Sequence, residues 1–244
     1  MQTKSTMPIM ELFGILKEKV YVEVIYVPKP TFLNLNEKKR QKFIDVALQE
    51  FADYEYRAAS LNRIVAGADI AKGSIYQYFE NKRDLYEYLV LYAAKEKYLF
   101  IALHLSEDAT LLKTVLTELF TLGRVFDFQK PIHGKLLVNT ASEVENDELD
   151  NFLLSVKKQS DSFYVEFCKN AVLHNLIKRD TDIEAAGYLI NRFDTMIGEY
   201  FEKQSGRPYL ELVLDKELPN EHKLAKIKPA IDYFVNILLA AFSR

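Results

Sequence analysis

From Glu37 onward apolar residues recur at the spacing of one helix face: Ile44, Ala47, Leu48 and Phe51 make a stripe, while Lys38, Lys39, Arg40 and Lys42 crowd its beginning. This period predicts a first helix running to about Asp53. Ser60 then stands where an N-cap belongs, and Leu61, Ile64 and Val65 supply one apolar stripe over barely two turns, so the second helix is short. Gly67 and Asp69 in "AGAD" mark a turn, because Asp tolerates the left-handed conformation better than most side chains. A third short helix is expected from near Ala71. Asn81, followed three residues later by Asp84, reads as the N-cap and reciprocal acid of a long fourth helix, "KRDLYEYLVLYAAKEKYLFIAL". Further helices are predicted over roughly residues 107–127, 131–142, 148–178, 182–205 and 223–242. Ser106, Pro131 and Asp182 mark starts, and "SGRP" at 205–208 and "ELPN" at 217–220 mark breaks. The expected class is all-α.

Two short helices about three residues apart, preceded by one that packs across them, make a tri-helical helix-turn-helix arrangement. In its second member, "AKGSIYQYFENKRDLY" (residues 71–86), a helical projection puts Ala71, Ile75 and Phe79 on one side. Gly73 and Gln77 point away, flanked by Ser74 and Tyr76. Such a face suits a DNA major groove. Gly73 lets the backbone come close, Gln77 can offer a paired donor and acceptor to adenine, and hydroxyls can bond phosphates. Lys72 at the helix start would attract phosphate and fix register, and Ser60, capping the previous helix, would do the same on the other side. A compact helical corner with a solvated face has the same spacing, so spacing alone leaves both readings open.

The wording is more specific than the spacing. The stretch "SLNRIVAGADIAKGSIYQYFENKRDLY" resembles the signature of the tetracycline-repressor (TetR) family through Ser60, Ile64, Ile70, Lys72, Gly73, Tyr76, Tyr78, Phe79, Lys82 and Leu85. The resemblance covers residues 37–87. It implies that Ile64, Ile70 and Phe79 are core, and that Lys72, Ser74, Tyr76, Gln77, Tyr78 and Lys82 lie where the family touches DNA. Tyr78 is ambiguous, since its ring can pack while its hydroxyl reaches out. Three positions depart from the family pattern: Glu55 stands for a frequent glycine, Ala59 for threonine and Asp69 for the turn glycine. Gln77 replaces a frequent histidine, which points to a different half-site sequence. The implied organisation is an N-terminal extension (1–28), a helix-turn-helix DNA-binding head (29–87) and a larger helical effector-binding and dimerisation domain (88–244), joined by the long fourth helix. Because family members begin a short arm before the first helix, "VPKPTFLNLNEKKRQ" reads as a native beginning if Val27 has an initiating codon; a native peptide spanning Glu23 to Lys29 would exclude that.

Composition narrows the alternatives. Eight glycines and seven prolines in 244 residues argue against a loop-rich or all-β chain. Charge does not itself point to a polyanion, since the formal net charge is −3. Residues 29–87 hold ten basic and nine acidic side chains and are the only net-positive segment, so a nucleic-acid reading rests on placement and not on bulk charge. Cys168 has no second cysteine to pair with, and His104, His133, His174 and His222 lack metal-ligand spacing. No metal or cofactor is expected. No apolar run approaches the roughly 18 residues of a membrane helix, and the amino-terminal residues lack signal-peptide character, so a cytoplasmic protein without membrane contact is expected.

Some 155 residues follow the head, far more than DNA contact needs. In the family this part makes a homodimer and encloses a small-molecule pocket. The last two long helices carry the candidate dimer positions Ala185, Tyr188, Leu189, Phe193, Ile197, Phe234, Ile237, Leu238 and Ala241, for which burial in the monomer core is the alternative. Aromatic residues Tyr98, Phe100, Phe126 and Tyr164 are joined by the candidate pocket set Phe120, Arg124, Phe128, Phe163, Phe167 and His174, with His133, Asn139 and Asn191 as further polar interruptions. Such a lining favours a lipophilic or planar effector. The expected function is a dimeric transcriptional repressor released from a near-palindromic double-stranded DNA operator. Two rivals stand beside it: an all-α enzyme acting on a small lipophilic substrate, although no Walker loop, dinucleotide fingerprint or zinc-protease motif is present, and a structural DNA-binding dimer without effector.

Overall fold

A computed structural model describes residues 28–106, 111–142 and 147–242, and these contain helices and no strand. In chain order the helices are α1 (Pro30–Leu33), α2 (Glu37–Asp53), α3 (Leu61–Ala68), α4 (Ser74–Tyr78), α5 (Lys82–His104) and α6 (Leu112–Gln129). They continue as α7 (Pro131–Ser142), α8 (Asp150–Leu173), α9 (Ile183–Ser205), α10 (Tyr209–Leu214) and α11 (Asn220–Phe242). The amino-terminal extension inferred from the sequence lies outside the described residues, except for Pro28.

The described chain divides into two compact units. One holds the residues up to Glu96 together with Ile132–Val156; the other holds Lys97–Pro131 and the residues from Lys157 onward.

In the first unit local chemistry sets the boundaries. The Asn36 side chain accepts from the Lys38 amide at 2.9 Å and starts α2, and the Ser60 hydroxyl accepts from the Arg63 amide at 3.4 Å at the start of α3. Asp69 closes α3 in the left-handed conformation (φ 58°, ψ 48°). Asn81 accepts from the Asp84 amide at 2.9 Å, while Asp84 reaches the Glu80 amide at 2.7 Å, one residue before the partner a capping box prescribes. Phe43, Ile44, Leu48, Phe51, Ile64, Ile75, Phe79 and Leu85 form one buried core, against which Ile70 packs half-buried. Phe32 of α1 sits inside it with no exposed surface, its ring 5.0 Å from Phe79 and 5.5 Å from Phe43. Helix α7 belongs here as well: Asn139 Nδ2 donates to the Ala52 carbonyl at 3.1 Å, Lys135 pairs with Asp53 at 2.8 Å, and the Tyr86 and Thr140 hydroxyls bond at 2.9 Å.

In the second unit α11 packs against α6 and α9, and α10 against α6 and α9. Asp182 caps α9 by accepting from the Ala185 amide at 3.1 Å. Where α9 crosses α8, a Cβ on Gly187 would stand 2.7 Å from the Val165 backbone, so only glycine permits this approach.

Several boundaries differ from the sequence expectation. The third helix begins at Ser74, not near Ala71, because the Ser74 amide bonds back to the Ala71 carbonyl at 2.8 Å and spends Ala71 to Gly73 on a turn; Ala71 is exposed, not packed beside Ile75. Ser106 donates its amide and hydroxyl to Glu118 at 3.0 and 2.6 Å, and the next described helix starts at Leu112. Helix α8 ends at Leu173, ahead of the expected 178, and Asn175 takes a positive φ of 59° there. The short helices α1 and α10 have no periodic signal of their own: each is under two turns, and both are held by tertiary contacts.

Candidate nucleic-acid interface

The geometry of the head starts with Glu50 on α2. Its carboxylate is buried, accepts from the Ser60 amide at 2.7 Å and from Arg63 Nε at 2.9 Å, and so fixes the start of α3 against α2. Lys82 acts from the other side: its ammonium donates to the carbonyls of Arg57 and Ala59 at 3.1 and 3.2 Å and lies 4.7 Å from the centre of the Tyr56 ring. Burial lowers its pKa. Neither Glu50 nor Arg63 was singled out in the sequence, although an acid and a base thirteen residues apart in neighbouring helices were its only trace.

Held in this way, α4 buries Ile75 and Tyr78 and turns Tyr76 and Gln77 outward. Lys72, Gly73, Tyr76 and Gln77 are exposed together, Tyr76 to 56%, with Ser74 half-exposed beside them. Gly73 has an ordinary helical backbone (φ −77°), and a Cβ there would meet nothing within 4 Å. Neither backbone geometry nor packing among the described residues demands glycine at 73. Of the eight positions assigned to DNA from the sequence, Tyr78 is turned inward, its ring 5.7 Å from Phe32 and 6.0 Å from Phe43, and the Lys82 ammonium is engaged with the α2–α3 turn. Ser60 is half-buried at the base of α3.

The six pocket positions lie in different surroundings among the described residues. Phe120, Phe128 and Phe167 are buried in the core, Phe163 packs against Tyr98 at 4.8 Å, and His174 is exposed just beyond α8. Arg124 is the centre of a buried polar cluster: it donates to the Asp194 carbonyl and carboxylate, each at 3.1 Å, and its Nε lies 3.6 Å from Asp127. Lys97 and Tyr209 donate to Asp127 at 2.8 and 2.9 Å, and Tyr164 donates to Asp194 at 2.8 Å. Burial opposes the Arg124 charge, but Asp194, Tyr209 and Asp127 outweigh it and its pKa rises; Tyr164 and Tyr209 are pushed up by burial and by the same carboxylates. Two cations face two carboxylates, so the cluster is balanced. Among the described residues a groove of about 390 Å³ lies between α9 and α11, lined by Tyr200, Phe201, Gln204, Ser205, Lys226, Pro229, Ala230 and Tyr233, and none of the six lines it.

The dimer positions separate into two sets. Ile197, Phe234 and Leu238 are buried within the unit, and the ring of half-buried Phe193 packs at a tilt against Phe234, 4.9 Å between centroids. Ala185, Tyr188, Leu189, Ile237 and Ala241 are exposed, and the sequence reading omitted Met196 and Tyr233, exposed to 39% and 48% on the same helical stripes. Cys168 is buried, and burial pushes its thiol pKa up to about 12. No described helix is long and apolar enough to cross a membrane, and no described group of His, Cys, Asp or Glu is arranged to hold a metal.

A three-helix head that presents the polar face of its second short helix defines the class of helix-turn-helix DNA-binding proteins. Residues 43–89 match the family model for bacterial regulatory proteins of the tetR family. Over 49 residues it is 39% identical to the probable acrEF/envCD operon repressor of Escherichia coli (strain K12), a match spanning 20% of this chain and only 22% of that relative. A crystal structure of a TetR family transcriptional regulator from Chloroflexus aurantiacus J-10-FL superposes with a TM-score of 0.64 at 26% identity, covering 89% of this chain and 99% of that one. A second, from Shewanella sp. PV-4, shares the fold with a TM-score of 0.60 at 15% identity, covering 84% and 98%.

Proposed function

We propose that this chain is a cytoplasmic transcriptional repressor, not an enzyme, which binds a near-palindromic operator as a homodimer and is released by a small lipophilic or planar effector. Residues 29–87 read DNA, and residues 88–244 dimerise and bind the effector. The observation that carries the reading is the contiguous exposure of Lys72 and Gly73 on the turn before α4 and of Tyr76 and Gln77 on α4, whose other face is core. Gln77 supplies a bidentate donor and acceptor for a base edge, and Lys72 supplies charge for phosphate. Ser74 and Ser60 add hydroxyls at the edges of the same surface, and the Tyr78 hydroxyl and Lys82 would reach phosphate only by leaving their present surroundings. The exposed apolar residues of α9 and α11 support the homodimer, which would repeat the head and require half-sites about one helical turn apart.

The effector acts by shifting the equilibrium between a DNA-competent and a released arrangement. A coupling of about 1 to 3 kcal/mol changes operator affinity roughly 5 to 150 fold, and requires different contacts in the two states. The aromatic composition of the second unit, with Phe120, Phe128, Phe163 and Phe167, supports an apolar ligand there.

Selection of random duplex DNA by the purified protein at two salt concentrations tests the reading. Enrichment of a palindrome is expected. On the selected site Gln77→Ala should lose discrimination at one position of each half-site, whereas Lys72→Ala should weaken all sequences and reduce the salt slope by about one. No enrichment at either salt would overturn the proposal.

A further inference from the structure

A helix of five residues cannot stand alone, and the carbonyls of its last turn have no partner within it. In α4 the Ile75 carbonyl is met by the Phe79 amide at 2.9 Å. The next three are all met from one distant segment. Lys29 Nζ donates to the Tyr76 carbonyl at 2.9 Å, the Thr31 hydroxyl donates to the Gln77 carbonyl, and the Lys29 amide donates to the Tyr78 carbonyl at 3.0 Å. The Lys29 ammonium also pairs with Glu80 at 2.8 Å, just past the end of α4. Pro30 opens α1 with the backbone angle a first helical position needs, Arg40 donates to the Leu33 carbonyl at 2.8 Å at its end, and Phe32 anchors the segment among the rings of Phe43, Tyr78, Phe79 and Tyr88.

Two of the three capped carbonyls belong to Tyr76 and Gln77, the residues that α4 presents outward. We infer that Lys29 and Thr31 are positioning residues for this helix: they act as a C-terminal cap supplied from the amino-terminal side of the head, and they set the direction of Tyr76 and Gln77 and hence the base discrimination of the protein. Lys29 then contributes to DNA binding through the carbonyl of Tyr76 and not as a phosphate contact. This rests on the DNA-binding reading above.

The test compares the full-length wild type with Lys29→Met/Thr31→Val on the selected operator and on random duplex, across a salt series, with amide hydrogen exchange of Tyr76 to Phe79 followed in both. The expected result is a specific-to-random affinity ratio reduced at least about tenfold, an unchanged salt slope, and at least tenfold faster exchange in α4. Lys29→Arg, which keeps donor and charge, should retain most of the ratio. An unchanged ratio with unchanged exchange overturns the inference. So does a parallel loss on both DNAs with a salt slope reduced by about one, because that marks a phosphate contact. If the double variant does not fold, Thr31→Val alone carries the same comparison. Failure of the wild type to select any sequence would sink the DNA-binding reading itself, and the exchange comparison would still decide whether the cap holds α4.

Discussion

Gly73 is the residue whose chemistry is hardest to attribute to folding. Its φ is ordinary and no described residue comes within 4 Å of a Cβ placed there, so an added methyl group is expected to be accommodated by the free protein. Gly73→Ala is expected to change stability by no more than about 1 kcal/mol, the scale of an N-cap exchange, while weakening operator binding because the methyl group holds the backbone away from the groove. Thermal denaturation beside a binding isotherm measures both; intact affinity would mean that nothing approaches this position closely. Cys168 presents the opposite case, a side chain explained entirely by the interior. With its pKa near 12, against 9.0 for a free thiol, it stays protonated at pH 8 and should resist iodoacetamide in the native protein while reacting once unfolded. The sign follows for stability as well: this group's contribution is complete below about pH 9 and is lost as the pH climbs towards 12.

At the scale of elements, the second unit is joined across five helices by one polar cluster: Lys97 of α5, Arg124 and Asp127 of α6, Tyr164 of α8, Asp194 of α9 and Tyr209 of α10. The charges are balanced only as a set. Asp194→Ala leaves the Arg124 guanidinium buried beside a single carboxylate and is expected to cost about 3 to 5 kcal/mol, whereas adding Arg124→Leu to it should recover part of that loss. Urea denaturation of the two variants checks the order; a double variant less stable than Asp194→Ala would show that Arg124 is held by something other than its acids. The same balance explains why this arginine does not announce a ligand. A buried guanidinium with two carboxylates in reach has its charge balanced, although its Nε makes no hydrogen bond among the described residues.

For the whole molecule, exposed apolar residues stand at 185, 188, 189 and 196 of α9 and at 233, 237 and 241 of α11, each series on one helical stripe. Tyr200 and Tyr233 stack 4.9 Å apart with ring planes 3° from parallel and bridge the two helices. Tyr188→Glu/Ile237→Glu places charge on both stripes without touching buried positions, so it should leave the helical content intact and halve the mass seen by sedimentation. Operator affinity should fall with it, because one head alone reads one half-site. A dimer that survives both substitutions would move the interface elsewhere.

Much of this was written into local pattern. The α2 stripe, the Ser60 and Asn81 caps, the Asp69 turn and the outward pair Tyr76 and Gln77 follow from residue type and from periods of 3.6, which act over a few neighbours and survive any tertiary arrangement. The sequence by itself therefore determined the helical class, the head and its outer face. Tertiary structure alone decided which polar groups meet across long separations: Glu50 with Ser60 and Arg63, Arg124 with Asp194, and Lys29 and Thr31 with the carbonyls of α4. It also sorted Ile197, Phe234 and Leu238 inward and Tyr188, Leu189 and Ile237 outward, a choice invisible to a stripe that is apolar around much of the helix. The physical reason is common to all of these. A hydrogen bond or a buried surface between distant residues depends on where helices cross, and crossing is set by side-chain volume over the whole unit, which no local period records.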